Sequence, residues 1–211
     1  TILIVAICVF AFSLFQLVKM LIPYYSGGKE YDKLKDKAIT IETTKDSEDT
    51  SEARFKVDFD VLLQENPDTV AWIRFDEPAV INYPVVQGSD NSEYLSKTFK
   101  GYDNTVGTIF VNAYNHADFN DRNTIIYGHY MYNGTMFNEL EQYHEKSFRE
   151  KYPYFYIYTP DGNVATYQIY SVGVVKDTSE GYTYQFADDA AFASFLEATK
   201  ASSLYLSLIH I

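Results

Sequence analysis

The chain has 211 residues, enough for one domain of ordinary size and an appendage but short of two full domains. Its formal net charge of −12 excludes a nucleic-acid partner, because phosphates need a basic surface and no basic stripe with interleaved aromatics is present. Hydrophobic residues make up 46% of the chain, which supports a real core, and the aromatic share of 17% is mostly tyrosine, so composition leans towards β structure.

Residues 1–22 read as a transmembrane anchor. Ile2 to Ile22 is apolar except for Lys19, and a span needs roughly 20 such residues. Lys19 lies near one end, where its stem can snorkel towards headgroups. A cleaved signal peptide would have a shorter apolar region, of about 7–15 residues, and a small-residue cleavage site. Pro23-Tyr24-Tyr25 is a poor one, so an uncleaved anchor is favoured. The only cysteine, Cys8, lies inside this run; no intrachain disulfide can form and no Cys/His cluster has zinc-ligand spacing.

Residues 23–54 read as a tether. Lys29 to Ile39 can form a short helix with Tyr31, Leu34 and Ile39 as its sparse apolar set, and Thr40 to Glu52 is polar and expected to be mobile. Globular patterning begins at Phe55. A helical turn is expected over Asp60–Glu65, closed by Asn66-Pro67 because the residue before proline avoids the α region. Strands are expected at Val70–Phe75, Val80–Val86, Thr108–Val111, Thr124–Tyr127, Tyr154–Thr159, Val164–Tyr170 and Val172–Lys176, with a tight hairpin turn at Asp161-Gly162. Helical character is expected at Ser92–Thr98, Met136–Tyr143 and Ser147–Tyr152. Asp188–Lys200 reads as an amphipathic helix with Phe192, Phe195 and Leu196 on one face and acidic residues at its start. Many short strands separated by turn signals suggest a closed barrel or a sandwich, and no internal repeat is present.

One segment carries chemistry. In Asn123-Thr-Ile-Ile-Tyr-Gly-His129 a β-branched run delivers a histidine onto a glycine turn, where a strand ends and an imidazole can face solvent or substrate. Alone the pattern is weak, since most strand-end histidines are ordinary surface residues. Around it stand "INYPVVQGSDNSEYL" (Ile81 to Leu95), "GTIFVN" (Gly107 to Asn112) and "MFNEL" (Met136 to Leu140). In this order and spacing the chain resembles a class B sortase, a cysteine transpeptidase that fixes proteins to the Gram-positive cell wall. The resemblance runs from about Phe55 to Tyr205. It implies a mainly β fold, a sortase-like closed barrel with peripheral helices in 55–205, preceded by a single transmembrane helix. The helix at Asp188–Lys200 fits the long connection between the sixth and seventh barrel strands of class B, and no aromatic lid motif of the pilin-polymerising class stands upstream.

The resemblance also implies a mechanism: a cysteine thiolate forms a thioester with a sorting signal, a histidine moves protons, and an arginine steadies substrate and oxyanion. His129 matches the histidine. Asn91 and Leu95 match positions that line the peptide groove, and Thr178, Tyr182 and Thr183 match its other wall; ordinary loop packing is the alternative for each. Asn112 stands where an acidic residue is common, and Thr183 where a larger aliphatic often packs, so substrate preference could differ. The family's cysteine and arginine would follow the helix at Asp188–Lys200, and the chain is expected to stop before both. Cys8 is no substitute, because it lies inside the apolar anchor, where a thiol is inert. Arg122 and Arg149 do not occupy the arginine position, and His116 and His144 are expected to be solvated. Residues 206–211, which include His210, read as a tail foreign to the domain. No cofactor or metal is expected. The implied partners are a sorting-signal peptide of the Asn-Pro-x-Thr type and a peptidoglycan amine, with the domain on the extracellular face of the cell membrane. A catalytically inactive peptide-binding barrel on the same anchor, and a defective fragment unable to fold alone, are the competing readings.

Overall fold

The computed structural model describes residues 2–43, 53–76 and 81–203. Val80, Thr44–Glu52, Leu204, Tyr205 and the expected tail at 206–211 lie outside these described residues.

The first element, α1 (Ile2–Ala38), is a single helix of 37 residues. The sequence suggested an anchor ending at Ile22 and a tether containing a separate short helix; the helix instead runs through Pro23 to Ala38. Proline inside a helix removes one backbone donor and costs about 3 kcal/mol. Packing over the following turns offsets that. Gly27, Tyr31, Leu34 and Ala38 are buried and recur at intervals of four, three and four, which is one helix face laid on the domain. Over Ile2–Ile22, by contrast, every residue is exposed, and an 18-residue window of mean hydropathy 2.4 has no buried residue.

The helix leads directly into β1 (Ile39–Thr43), which pairs antiparallel with β2 (Ala53–Val57). Part of the stretch expected to be mobile is thus strand. α2 (Phe59–Glu65) follows, its N-cap Asp58 accepting from the Val61 amide, and it ends at Asn66 as the Asn-Pro pair requires.

The main sheet has six strands in the order β6-β5-β4-β3-β7-β8: β3 (Thr69–Arg74), β4 (Asn82–Val86), β5 (Ile109–Val111), β6 (Ile126–Tyr127), β7 (Tyr154–Tyr158) and β8 (Val164–Gln168). It curls into a half-barrel, with β6 and β8 as its edges among the described residues. All pairs are antiparallel except β4 with β5. Parallel neighbours need a crossover connection, and here it is the stretch 87–108, with a 3₁₀ turn at Glu93–Leu95, that passes against α1. The core is centred on Trp72, Phe99, Phe110, Leu34, Leu62 and Ile81, all fully buried. Each such side chain contributes about 1.5–3 kcal/mol by leaving water.

A 3₁₀ helix at Asn138–His144, α3 (Lys146–Lys151) and α4 (Asp189–Ala201) stand where helical character was expected. The β7–β8 turn is the expected hairpin, with Gly162 at φ +85°. The strand expected at Val172–Lys176 does not form. Ser171 Oγ donates to Thr199 O (2.9 Å) and the Val172 amide to Ser203 Oγ (3.0 Å), so this stretch satisfies its polar groups on the end of α4 instead of on a strand.

Candidate active site

His129 lies two residues beyond β6 and is half-buried. Its Nε2 is 2.7 Å from the carbonyl oxygen of Leu95. A carbonyl only accepts, so Nε2 carries the proton and Nδ1 is the nitrogen left for other chemistry. The backbone around the ring is held too: the Phe137 amide donates to His129 O at 2.9 Å.

Beneath the ring lies Gly107, at φ +66°. A Cβ there would stand 2.8 Å from His129 Cδ2 and 2.9 Å from the carbonyl oxygens of Leu95 and Tyr94. Both the left-handed backbone and the close approach therefore require glycine. Gly128 is equally confined, since its Cβ would meet the Phe137 ring at 2.6 Å. These two glycines let the β5 and β6 ends approach the crossover closely enough for imidazole and Leu95 carbonyl to bond.

The crossover side continues through Asn91. Its Oδ1 accepts from the Ala113 amide (2.8 Å) and its Nδ2 approaches Asn112 Oδ1 at 3.4 Å. Asn112 is itself buried, accepts from the Tyr114 amide at 2.9 Å, and closes the end of β5. Neutral Asn112 thus works as a structural acceptor.

The opposite side is the connection after β8. Asn123 Nδ2 donates to Thr183 O (2.7 Å) and Gly181 O (3.3 Å), tying that connection to the lead-in of β6. Tyr182 stacks on Tyr127 with centroids 6.4 Å apart and ring planes 11° from parallel. Burial pushes the Tyr127 phenol up, and neighbouring Tyr182 adds to it. Thr178 stands on an exposed turn four residues before Tyr182.

The six residues read from sequence thus divide. His129 and Leu95 touch; Asn91 is anchored to the end of the neighbouring strand; Tyr182 and Thr183 are fastened to β6 and its approach. Thr178 shares the connection but no contact with the others. Sequence reasoning did not assign roles to Gly107 or Asn123, although both lie inside the quoted motifs. A glycine opening a strand motif was the available signal for the first.

Other candidates are committed elsewhere. Arg122 binds Asp188 O at 3.2 Å and the Asp189 carboxylate, at the start of α4. Arg149 is buried and donates to the carbonyls of Tyr143 and His144, each at 2.6 Å. His116 is exposed, as expected, and its Nδ1 lies 2.6 Å from Asp121 Oδ1, a contact that raises its pKa. Cys8 is exposed on the apolar half of α1. Among the described residues no three His, Cys, Asp or Glu side chains are grouped to hold a metal ion.

Comparison with known proteins gives a consistent answer. A family model described as the sortase domain matches residues 75–206. Sortase B of Listeria monocytogenes is 32% identical over 152 residues, covering 71% of this chain and 60% of that protein. The chain spans about 60% of the length of the curated relatives it matches. Among solved structures, sortase B from B. anthracis in complex with AAEK1 superposes with a TM-score of 0.76 at 28% identity, covering 90% of this chain and 86% of that one. A Staphylococcus aureus sortase B–substrate complex gives 0.68 at 31% identity, with 73% and 70% covered.

Proposed function

Because the chain belongs to the sortase family, with class B members as its relatives, we propose that it is the membrane-anchored, histidine-bearing part of a class B cysteine transpeptidase. The observation that carries this reading is the His129 Nε2–Leu95 O bond, which fixes one ring nitrogen against the crossover and leaves the other for proton transfer.

In the reaction, a thiolate attacks the peptide carbonyl of a sorting signal of the Asn-Pro-x-Thr type, and the C–N bond breaks to leave a thioester and a free amine. The imidazolium of His129 gives its proton to that leaving amine. An amine of a cell-wall peptide then attacks the thioester, its proton passes to Nδ1 of His129, and the thiolate departs. With Nε2 bonded to Leu95 O, proton traffic runs through one nitrogen, and the ring need not turn between the two half-reactions. Asn91 and Leu95 line one wall for the peptide and Thr178, Tyr182 and Thr183 the other. The domain works on the extracellular face of the membrane.

Cys8 does not supply the thiolate. It lies in the apolar half of α1, among residues that are all exposed and make no part of the folded domain that carries His129. Residues 1–211 alone are therefore expected to lack turnover, and the same observation supports a second reading, a barrel that binds peptide without cutting it. The test is His129→Ala in a form extended through a catalytic cysteine and arginine. A loss of about 10²–10⁴ in transpeptidation of a sorting peptide, with the fold intact, is expected for removal of a general acid/base. Near-normal thioester formation by the variant would assign the proton transfers elsewhere, and binding without thioester formation by the unmutated extended form would establish the second reading.

A further inference from the structure

The helix that provides the apolar span also forms part of the domain, with no linker between. At 1.5 Å per residue, Ile2–Ile22 is about 30 Å long, which matches the hydrocarbon thickness of a bilayer. Contact with the domain begins at the next residue. Pro23 O accepts from Asn104 Nδ2 at 3.0 Å, and the same amide reaches Ser26 Oγ at 3.2 Å. One turn on, Val106 packs so closely on Gly27 that a Cβ would meet its side chain at 3.3 Å. Further up, Glu30 Oε1 accepts from the Lys100 amide at 3.0 Å, and Tyr31 Oη donates to Gly107 O at 2.7 Å. Contacts therefore climb α1 in register from the first residue after the apolar run.

We infer that the face of the domain formed by residues 104–106, together with the Tyr25–Ser26 turn of α1, is a membrane-apposed surface whose partner is the phospholipid headgroup layer. The inference rests on the reading of Ile2–Ile22 as a span. Exposed Tyr25, with Lys29 Nζ 4.4 Å from its ring centroid, has the amphipathic character of an interfacial residue and stands at the boundary. Gly27 and Tyr31 lie about 8 and 13 Å above the end of the apolar run by helix rise. Gly107, bonded to Tyr31 and lying under His129, is thereby held near that height, so the imidazole stands close to the headgroups. The chain is acidic, with a net charge of −12, so apposition is enforced by α1 and not by attraction to anionic lipid. It should persist on zwitterionic phosphatidylcholine and in high salt.

Single tryptophan probes test this, because the only native tryptophan, Trp72, is fully buried and gives a constant background. The whole chain is reconstituted in phosphatidylcholine nanodiscs with and without a lipid carrying a nitroxide on its headgroup, and in discs with brominated acyl chains. Phe12→Trp reports the span, Thr105→Trp the proposed surface, and Lys56→Trp the far end, since Lys56 pairs with Thr40 just past the top of α1. Phe12→Trp should be quenched by brominated chains. Headgroup nitroxide should quench Thr105→Trp at least about twice as strongly as Lys56→Trp, because their heights along α1 differ by roughly 20 Å. Quenching of Phe12→Trp with none at Thr105→Trp, or equal quenching of Thr105→Trp and Lys56→Trp, would overturn the apposition while leaving the span intact. Absence of bromine quenching at Phe12→Trp would instead remove the span itself, and the inference with it.

Discussion

The two sides proposed to flank the substrate peptide, the crossover wall and the connection after β8, are built differently. The crossover wall rests on α1 and on strands β3, β4 and β5, whose residues are buried almost throughout. Its hydrogen bond to His129 is made by backbone, the Leu95 carbonyl, and Gly107 leaves no room for a side chain beneath the ring. The other side follows β8, a strand exposed along all five of its residues, and is fastened by side chains: the Asn123 amide, Arg122 at the start of α4, and the stacked pairs Tyr127–Tyr182 and Tyr114–Tyr184. A proton-transfer group gains from being fixed before substrate arrives, because orientation lowers the barrier only if it precedes the reaction. A wall that grips a variable peptide needs less rigidity. The division suggests that the first wall sets rate and the second sets binding.

The sharpest way to break this comparison is Gly107→Ala. Left-handed backbone costs a non-glycine residue about 1–2 kcal/mol, and the new methyl would press on the His129 ring and on two carbonyls at 2.8–2.9 Å. A loss of roughly 2–4 kcal/mol is expected from strain and overpacking together. In the extended enzyme kcat should fall with KM little changed. Thermal unfolding and steady-state kinetics check both, and a variant of normal stability and kcat would show that the rigid wall does not position the imidazole.

Asn123→Ala probes the opposite wall. It removes two donors to the 181–183 backbone, and one net hydrogen bond is worth about 0.5–1.5 kcal/mol. Stability should drop within that range. KM for a sorting peptide should rise while kcat holds, the pattern for loss of uniform binding. A fall in kcat as large as that of Gly107→Ala would erase the distinction between the walls.

The sequence exposed these walls unequally, for physical reasons. Elements with local signals were readable: α4 from its acidic cap and aromatic stripe, the β7–β8 hairpin from Asp-Gly, the end of α2 from Asn-Pro, and the strand-end position of His129, though not its role, from a β-branched run ending on glycine. What failed depended on partners remote in sequence. The buried stripe on α1 reads as sparse because Gly27 and Ala38 are small, and partners remote in sequence, among them Tyr83, Val106 and Gly107, make it a face. Val172–Lys176 has strand composition, yet its nearest partner is the end of α4, so pairing rather than propensity decided the outcome. Leu95 was legible only through family resemblance, and then as a side chain; its contact to His129 is made by its carbonyl, about which side-chain identity says nothing.

The smallest expected effect concerns how α1 is clamped to the first wall. Glu65 lies between Lys100 (2.5 Å) and Lys37 (2.8 Å), so it joins α1, α2 and the crossover. The Lys100 hydrogen bond, and then that of Lys37, lower its pKa from 4.5 to about 2. Its carboxylate is therefore favoured in the folded state, and the stabilisation is fully present above pH 4.5 and lost as pH falls towards 2. The shift taken at face value would be worth roughly 3 kcal/mol. The Lys37 and Lys100 side chains are 56% and 29% exposed, however, and solvent screening reduces the expected contribution to about 1 kcal/mol. Glu65→Gln should be less stable than the parent by that amount at pH 7, with the gap narrowing below pH 4.5. High salt should shrink it further. Denaturant melts of both proteins across this range measure the gap directly. A gap unchanged at pH 3 would mean that Glu65 holds α1 by packing rather than by charge, and the rigid wall would then owe its rigidity to the Gly27–Tyr31–Leu34 face alone.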